Sequence, residues 1–217
     1  MKIDIWSDVV CPYCYVGKRR FEKALANFEH KDKVTVEYHS FQLYPHAQSH
    51  TDKNAYDYLA EIKGITREDS AQMHKFVVSM AAKEGLEYNF DIAKPANTFD
   101  AHRVIQLAKT HGLGAEAEEA LFDAYFTRGR NIADHATLAE IGEGIGLNKQ
   151  VVSEMLASNA MRENVLADIQ LAQQLGIEGV PFFLLDGKYG VSGAQRVELF
   201  SQALRTTWDE ANTPHQV

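Results

Sequence analysis

The chain has 217 residues, 45% hydrophobic and 24% charged, a balance that can bury a core as one domain or as two small ones. A net charge of -8 with no basic tract excludes a general phosphate-backbone binder, so nucleic acid is not an expected partner. Met1 to Val10 carries Asp4 and Asp8 and lacks an apolar run of leader length, and no stretch reaches membrane-spanning length, so a cytoplasmic protein without membrane contact is expected.

Ile3 and Ile5 alternate, which predicts a short first strand, and Phe21, Ala24, Leu25 and Phe28 fall at helical spacing across residues 12–28. Cys11-Pro12-Tyr13-Cys14, which contains both cysteines of the chain, stands between them at the head of the helix. Val34, Val36 and Tyr38 predict a second strand, and Phe41-Gln42-Leu43-Tyr44-Pro45 leaves it and ends at a proline boundary. From about Ser49 to Asn159 the pattern is almost wholly helical. Thr66 can cap a helix bearing Met73, Phe76, Val77 and Met80; Asn97 or Thr98 can cap another through Val104, Ile105 and Ala108. Shorter helical stretches cover residues 121–126, 138–141 and 151–156, and the run Glu116, Glu118, Glu119 reads as a solvated helix face. A helix through Val165, Ile169, Ala172 and Leu175 closes at Gly176. The continuous apolar run Phe182-Phe183-Leu184-Leu185 suits a strand buried on both faces, and Asp186-Gly187 turns it into a partner strand with Tyr189 and Val191. A last helix covers about residues 196–208. The order β-α-β, helical block, α-β-β-α predicts an α/β domain of residues 1–48 plus 160–217, interrupted by an all-helical insertion domain, residues 49–159.

A thiol pair at a strand-to-helix junction points to redox chemistry. The first N–H groups of a helix are unpaired and carry partial positive charge, so Cys11 is expected to be the more acidic thiol and an exposed nucleophile. Pro12 suits the first helical position, and Cys14, three residues on, shares the face of Cys11 and can resolve a mixed disulfide. Cys-X-X-Cys can also form half of a zinc site. The chain has no second cysteine pair, its nine histidines are scattered, and no metal is expected.

Gly179-Val180-Pro181 before the apolar strand adds a second signal, because an interior strand avoids proline except at its first residue. Together with the cysteine pair it resembles the thioredoxin fold, whose cis-proline loop lies beside the reactive cysteine. The resemblance narrows to DsbA-like thiol oxidoreductases of the FrnE type, a group similar to 2-hydroxychromene-2-carboxylate isomerases and kappa-class glutathione transferases. It rests on Asp8 to Gly17, on Phe41 to Pro45, on Asn97-Thr98-Phe99-Asp100-Ala101-His102-Arg103, on Gly179 to Phe183 and on Gly193-Ala194-Gln195.

The resemblance implies a thioredoxin-like α/β fold with a large helical insertion shaping a substrate groove. It implies catalysis by Cys11 and Cys14, with Pro12, Tyr13, Val180, Pro181 and Asn97 binding substrate. Asn97 can equally be a helix cap, and Asp100, His102 and Arg103 can be packing or surface residues. Tyr13, Tyr15, Phe41 and Phe182 could offer an apolar docking surface, with Tyr13 exposed. The expected substrates are protein disulfides or small thiols, with no bound cofactor, and relatives of this kind are often homodimers. Strongly oxidising periplasmic members carry histidine where Tyr13 stands. Tyrosine supplies no cation, so a less acidic Cys11 and a less oxidising couple are implied. Two other readings remain: a glutathione-dependent isomerase or transferase acting on a small aromatic substrate with glutathione as cosubstrate, and a peptide-binding chaperone with incidental thiols.

Overall fold

The computed structural model describes residues 1–49 and 52–212. In chain order it builds β1 (Lys2–Ser7), α1 (Pro12–Ala26), β2 (Thr35–Ser40), α2 (Ala55–Lys63), α3 (Arg67–Lys83), α4 (Phe99–Lys109), α5 (Gly114–Phe122), α6 (His135–Gly144), α7 (Lys149–Ala157), α8 (Arg162–Gln174), β3 (Phe182–Leu185), β4 (Tyr189–Ser192) and α9 (Val197–Asn212). The strands lie in the order β2-β1-β3-β4. The α1 crossover makes β1 and β2 parallel, with Ile3 opposite Val36 and Ile5 opposite Tyr38. β3 runs antiparallel on the other side of β1, placing Ile3 opposite Leu185.

The β3–β4 hairpin forms where Asp186-Gly187 predicts it. Asp186 (φ 53°) and Gly187 (φ 66°) take the consecutive left-handed conformations that match strand twist, and Lys188 N–H donates to the Leu185 carbonyl at 3.0 Å.

The expected alternation of β1 holds for Ile3 and Ile5, yet Trp6 is buried as well, because β1 is an interior strand covered on both faces. On one face Ile3, Ile5, Phe183 and Leu185 meet Phe21 and Ala24 of α1 and Phe200 and Leu204 of α9. On the other, Trp6, Phe182 and Leu184 meet Ala172 of α8 and Ile177. The result is three layers, helix on sheet on helix.

Helices α2 to α7 come between β2 and α8. Local chemistry sets several of their starts: Asn54, Thr66, Asp134 and Asn148 each accept a backbone N–H of the first turn. The sequence reading did not single out α2, nor the π-helical turn Asp123–Thr127 that follows α5. The core of these helices, with Val104, Leu121, Phe122, Phe126 and Leu138 at its centre, continues into Val9, Cys11, Cys14, Tyr15 and Val16. Tyr15 stacks on Phe122 with ring centres 4.7 Å apart, and Tyr88 on Phe126 at 4.5 Å. The head of α1 is therefore walled by the helical segment.

A polar clasp ties the sheet to α4 and α8. The buried His39 ring lies 2.7 Å from Asp4 Oδ1 through Nε2 and 2.7 Å from Asp168 Oδ1 through Nδ1, and it stacks on Trp6. Asp168 Oδ2 also accepts from Ser40 N–H at 2.8 Å and Gln106 Nε2 at 2.5 Å. Burial opposes charge on His39, but the hydrogen bond and charge of Asp168, followed by the Asp4 hydrogen bond, outweigh it and raise the imidazole pKa. A raised folded value means the proton is held more tightly in the native state. The stabilisation is full below the unfolded value of about 6.5 and fades as pH rises through the folded one. Urea unfolding of wild type and His39→Gln is expected to show a stability gap that narrows with rising pH; a gap that widens contradicts the assignment.

Candidate active site

After β1 the chain turns at Asp8, whose carbonyl accepts Cys11 N–H at 2.9 Å. Cys11 takes the N-cap position of α1 in extended conformation (φ -85°, ψ 109°) and Pro12 follows, so the thiol stands at the helix end whose first-turn N–H groups have no partner within the helix. Cys14 N–H donates to the Cys11 carbonyl at 3.0 Å. Both cysteines are free thiols.

The expectation of an exposed Cys11 is corrected: Cys11 is 3% accessible and Cys14 2%. A helix-end position alone suggests a surface cysteine, but the loop before β3 lies against it. The Val180-Pro181 bond is cis, as the resemblance implied, and the Val180 carbonyl lies 3.6 Å from Cys11 Sγ. Gly17 makes this closeness possible, since a Cβ there would meet Pro181 Cγ at 3.0 Å and Phe183 Cζ at 3.5 Å. Tyr88 holds the other side, donating to the Pro12 carbonyl at 2.6 Å.

Tyr13 is 37% accessible, in line with expectation, whereas its supposed companions turn inward. Tyr15 is in the aromatic stack, and Phe41 and Phe182 pack with Trp6. The apolar walls near the thiols come from Pro12, expected at the site, from Leu43 and Tyr44 of the Phe41–Pro45 motif, and from Val10, Tyr58 and Ile62, to which the sequence assigned no role. A narrow crevice of about 100 Å³ is lined by Val10 and Pro12 together with Leu43, Tyr44, Tyr58 and Ile62. The last four also line a cavity of about 460 Å³ that opens toward His46 and Lys53. Tyr44 belongs to the thiol surroundings electrostatically: burial, and then charge on Cys11, raise its hydroxyl pKa.

Asn97 braces this wall from behind. Its Nδ2 donates to the Pro45 and Ala47 carbonyls at 3.0 and 3.2 Å, and its Oδ1 accepts from Phe99 N–H at 3.0 Å and Gln42 Nε2 at 3.1 Å. Thr98 makes no capping hydrogen bond, so of the two cap candidates Asn97 does the capping.

Behind the thiols lies a buried polar cluster. Asp8 accepts Leu43 N–H at 2.8 Å and lies 3.2 Å from His102 Nε2, and Ser7 Oγ lies 3.4 Å from Glu118 Oε2. Glu118, read from sequence as part of a solvated face, is 1% accessible. Its spacing from Leu121 and Phe122, three and four residues on, was the available signal that it faces inward. Burial pushes its carboxyl up to about 7. Glu119 beside it is partly exposed and bonds Tyr15, Lys18 and Arg19 instead. Burial opposes charge on His102 too, but the hydrogen bond and charge of Asp8, then Glu118, raise it. Burial is also the main force that raises Cys14, with Cys11 next, so the Cys14 thiol is held in its protonated form.

Among the described residues, Asp4, Glu37 and His39 gather with ligand-type atoms within 4.8 Å of one another. Lys2 lies 2.8 Å from both carboxylates and Lys109 3.0 Å from Glu37, so cationic side chains already balance the charge there.

A cysteine pair at a helix N-terminus, a facing cis-proline loop and this sheet order define a thioredoxin-fold protein built for thiol chemistry. Residues 2–205 match the DSBA-like thioredoxin domain family, and the chain belongs to it. A crystal structure described as a probable DsbA oxidoreductase from Streptomyces coelicolor is 41% identical, covering 100% of this chain and 93% of that one, with a TM-score of 0.93. The protein YwbO of Bacillus subtilis is 28% identical over 93% of this chain and 94% of its own length. The cytosolic disulfide reductase DsbM from Pseudomonas aeruginosa, solved with GSH, shares the fold at 17% identity, with a TM-score of 0.66 over 96% of this chain and 99% of that one.

Proposed function

We propose that the protein is a thiol-disulfide oxidoreductase or disulfide isomerase in which Cys11 is the nucleophile and Cys14 the resolving thiol. The observation that carries this is the pair of free thiols at the head of α1, with Cys11 Sγ 3.6 Å from the Val180 carbonyl and Cys14 held protonated by burial.

In the first step the Cys11 thiolate attacks one sulfur of a substrate disulfide. A Cys11–substrate S–S bond forms, and the other substrate sulfur leaves with the bonding electron pair and takes up a proton. In the second step Cys14 gives up its proton and attacks Cys11 Sγ. The Cys11–Cys14 bond forms and the second substrate sulfur leaves reduced. The substrate gains two electrons and the enzyme pair loses them; a small thiol restores the pair, and the reverse sequence oxidises a dithiol. Val180 and Pro181 present backbone to the substrate, Pro12 and Tyr13 form the near edge, and the crevice under Leu43 and Tyr44 takes an apolar group next to the disulfide.

The reductant in this reading is glutathione or another small thiol, with no bound cofactor, and the setting is the cytoplasm. The relative solved with GSH supports the choice of thiol. Tyr13 favours a couple less oxidising than the periplasmic oxidants: burial, then charge on Cys11, raise the phenol, so it brings no charge to the site. Equilibration with glutathione redox buffers, read by the mass of alkylated thiols, is expected to give a potential well below about -120 mV, the value of the strong oxidant DsbA. A potential at or above that value overturns the reductase or isomerase role, and failure to reduce insulin overturns the oxidoreductase reading itself.

A further inference from the structure

We propose that Tyr88 is a positioning residue for Cys11: its hydroxyl polarises the peptide group between Pro12 and Tyr13, and so strengthens the Tyr13 N–H as a donor to the ionised Cys11 sulfur. The proposal rests on the oxidoreductase reading and deepens it, because it gives the helical segment a part in setting the redox balance of the thiol pair.

Tyr88 lies between α3 and α4, is 7% accessible, and donates to the Pro12 carbonyl at 2.6 Å. Both of its chain neighbours are tied to the π-helical turn Asp123–Thr127. Asn89 N–H donates to the Phe126 carbonyl at 2.7 Å, and Thr127 Oγ1 donates to the Glu87 carbonyl at 2.7 Å. The Tyr88 ring stacks on Phe126 at 4.5 Å and on Tyr15 at 6.1 Å, and meets Phe90 edge-on at 5.7 Å. A phenol held by backbone on both sides and by three rings delivers its hydroxyl to one place. Pro12 opens α1, so helix geometry already gives its carbonyl the N–H four residues on, and the Tyr88 bond is an additional one on the remaining lone pair.

The Pro12 carbonyl and the Tyr13 N–H belong to a single planar amide. A donor on the oxygen makes the N–H of the same amide a stronger donor, by about 10–30% per bond. Proline has no N–H, so Tyr13 carries the first one of α1, and no acceptor for it exists within the helix. An N-cap side chain accepts from the second or third helical residue; the third, Cys14, already donates to the Cys11 carbonyl at 3.0 Å. Tyr13 is the one left for the sulfur. As a thiol, Cys11 makes no capping bond, and its Sγ lies 3.6 Å from the Val180 carbonyl instead. Ionisation removes the S–H donor from that contact, and the anion turns to the N–H at the helix end. Burial, then the charges of Cys11 and Cys14, raise the Tyr88 phenol, so it keeps its proton and remains a donor.

The consequence is redox-specific. Oxidation by glutathione turns the two thiols and one oxidised glutathione into the Cys11–Cys14 disulfide and two molecules of reduced glutathione. Only the reduced side of this balance contains the thiolate. A hydroxyl that merely packs stabilises both sides alike and leaves the equilibrium constant unchanged. One that strengthens the donor to the thiolate favours the reduced side, and makes the pair more oxidising.

The test is equilibration of full-length wild type and Tyr88→Phe with glutathione redox buffers at about pH 9, above the free-cysteine value of about 8.5, read by mass after alkylation. Phenylalanine keeps the ring and its stack and deletes the hydroxyl alone. The constant for disulfide formation is expected to be about twofold to tenfold larger in Tyr88→Phe, a potential lower by up to about 30 mV. An equal or smaller constant overturns the proposal while leaving the oxidoreductase reading intact. If Tyr88→Phe folds poorly, the Tyr13 amide proton of wild type decides the matter by NMR. It is expected to move upfield when oxidation consumes the thiolate, and an amide proton that stays in place or moves downfield overturns the proposal. A wild-type protein that never forms the Cys11–Cys14 disulfide overturns both readings.

Discussion

Cys11→Ser is expected to lower disulfide exchange on the order of 10³-fold, or about 4 kcal/mol of barrier, while Cys14→Ser stops at the mixed disulfide. The asymmetry follows from the geometry of the two sulfurs. Cys11 sits at the N-cap of α1 with its sulfur 3.6 Å from the Val180 carbonyl, beside the loop expected to present substrate, whereas Cys14 lies three residues into the helix, where burial holds it protonated. A serine hydroxyl at position 11 keeps the shape but is far harder to ionise than a thiol, so the first bond does not form. With serine at position 14 the first bond still forms, and only external thiol can release the substrate. Insulin turbidity gives the rates, and mass spectrometry after exposure to oxidised glutathione gives the trapped species. Cys14→Ser is expected to accumulate one glutathione at Cys11 and to retain part of its isomerase activity, which needs only one attacking thiol. Comparable turnover by Cys11→Ser and wild type removes Cys11 from the mechanism.

Arg103→Met is expected to lower unfolding free energy by about 2–3 kcal/mol, the order of cost when buried backbone acceptors lose a charged donor. Arg103 is 5% accessible and does most of its bonding to backbone. Its Nη2 donates to the Met155 and Ser158 carbonyls at 2.5 Å each, Nε to the Ala160 carbonyl at 2.9 Å, and Nη1 to Leu156 at 3.4 Å and to the Asp100 carboxylate at 2.8 Å. α7 ends at Ala157, so the Met155 and Leu156 carbonyls belong to its last turn; Met155 also accepts Ser158 N–H at 3.2 Å and Ser158 Oγ at 2.9 Å, whereas Leu156 looks to Arg103. A cation at that end also meets the negative pole of the helix. Methionine roughly preserves the volume but removes the guanidinium from the buried Leu156 carbonyl and from the Met155, Ser158 and Ala160 carbonyls it gathers. Asp100→Asn, at a partly exposed carboxylate, is expected to cost under about 1 kcal/mol. Urea unfolding measures both, and a loss below that smaller figure in Arg103→Met contradicts the assigned role.

The motif Asn97 to Arg103 shows how far a sequence reading reaches. Its residues signalled the family, and Asn97 was legible as a cap because capping depends on neighbours two or three residues away. That His102 reaches Asp8, that Arg103 closes α7, and that Asn97 also braces the Pro45–Ala47 loop required the fold. Glu118 is the clearest case, since three glutamates in four residues look solvated when read as composition. Only the packing of α5 against β2 and the neighbouring α4 turns the middle one into the core.

By itself the sequence determined what short-range geometry controls: β1 and β2 from their alternation and β3 from its apolar run, the thiols at the head of α1, the Asp186-Gly187 turn, and the proline before β3. Each depends on dihedral preferences and spacings of a few residues, which survive in any context. The tertiary structure alone decided that Cys11 is covered, that Tyr15 is core while Phe41 and Phe182 pack half-buried against Trp6, that Leu43, Tyr44, Tyr58 and Ile62 wall the crevice, and that Ser7 meets Glu118 across 111 positions of chain. Those outcomes depend on which face of one element is pressed against another, a choice made by the burial of apolar area over the whole molecule rather than by any local run of residues.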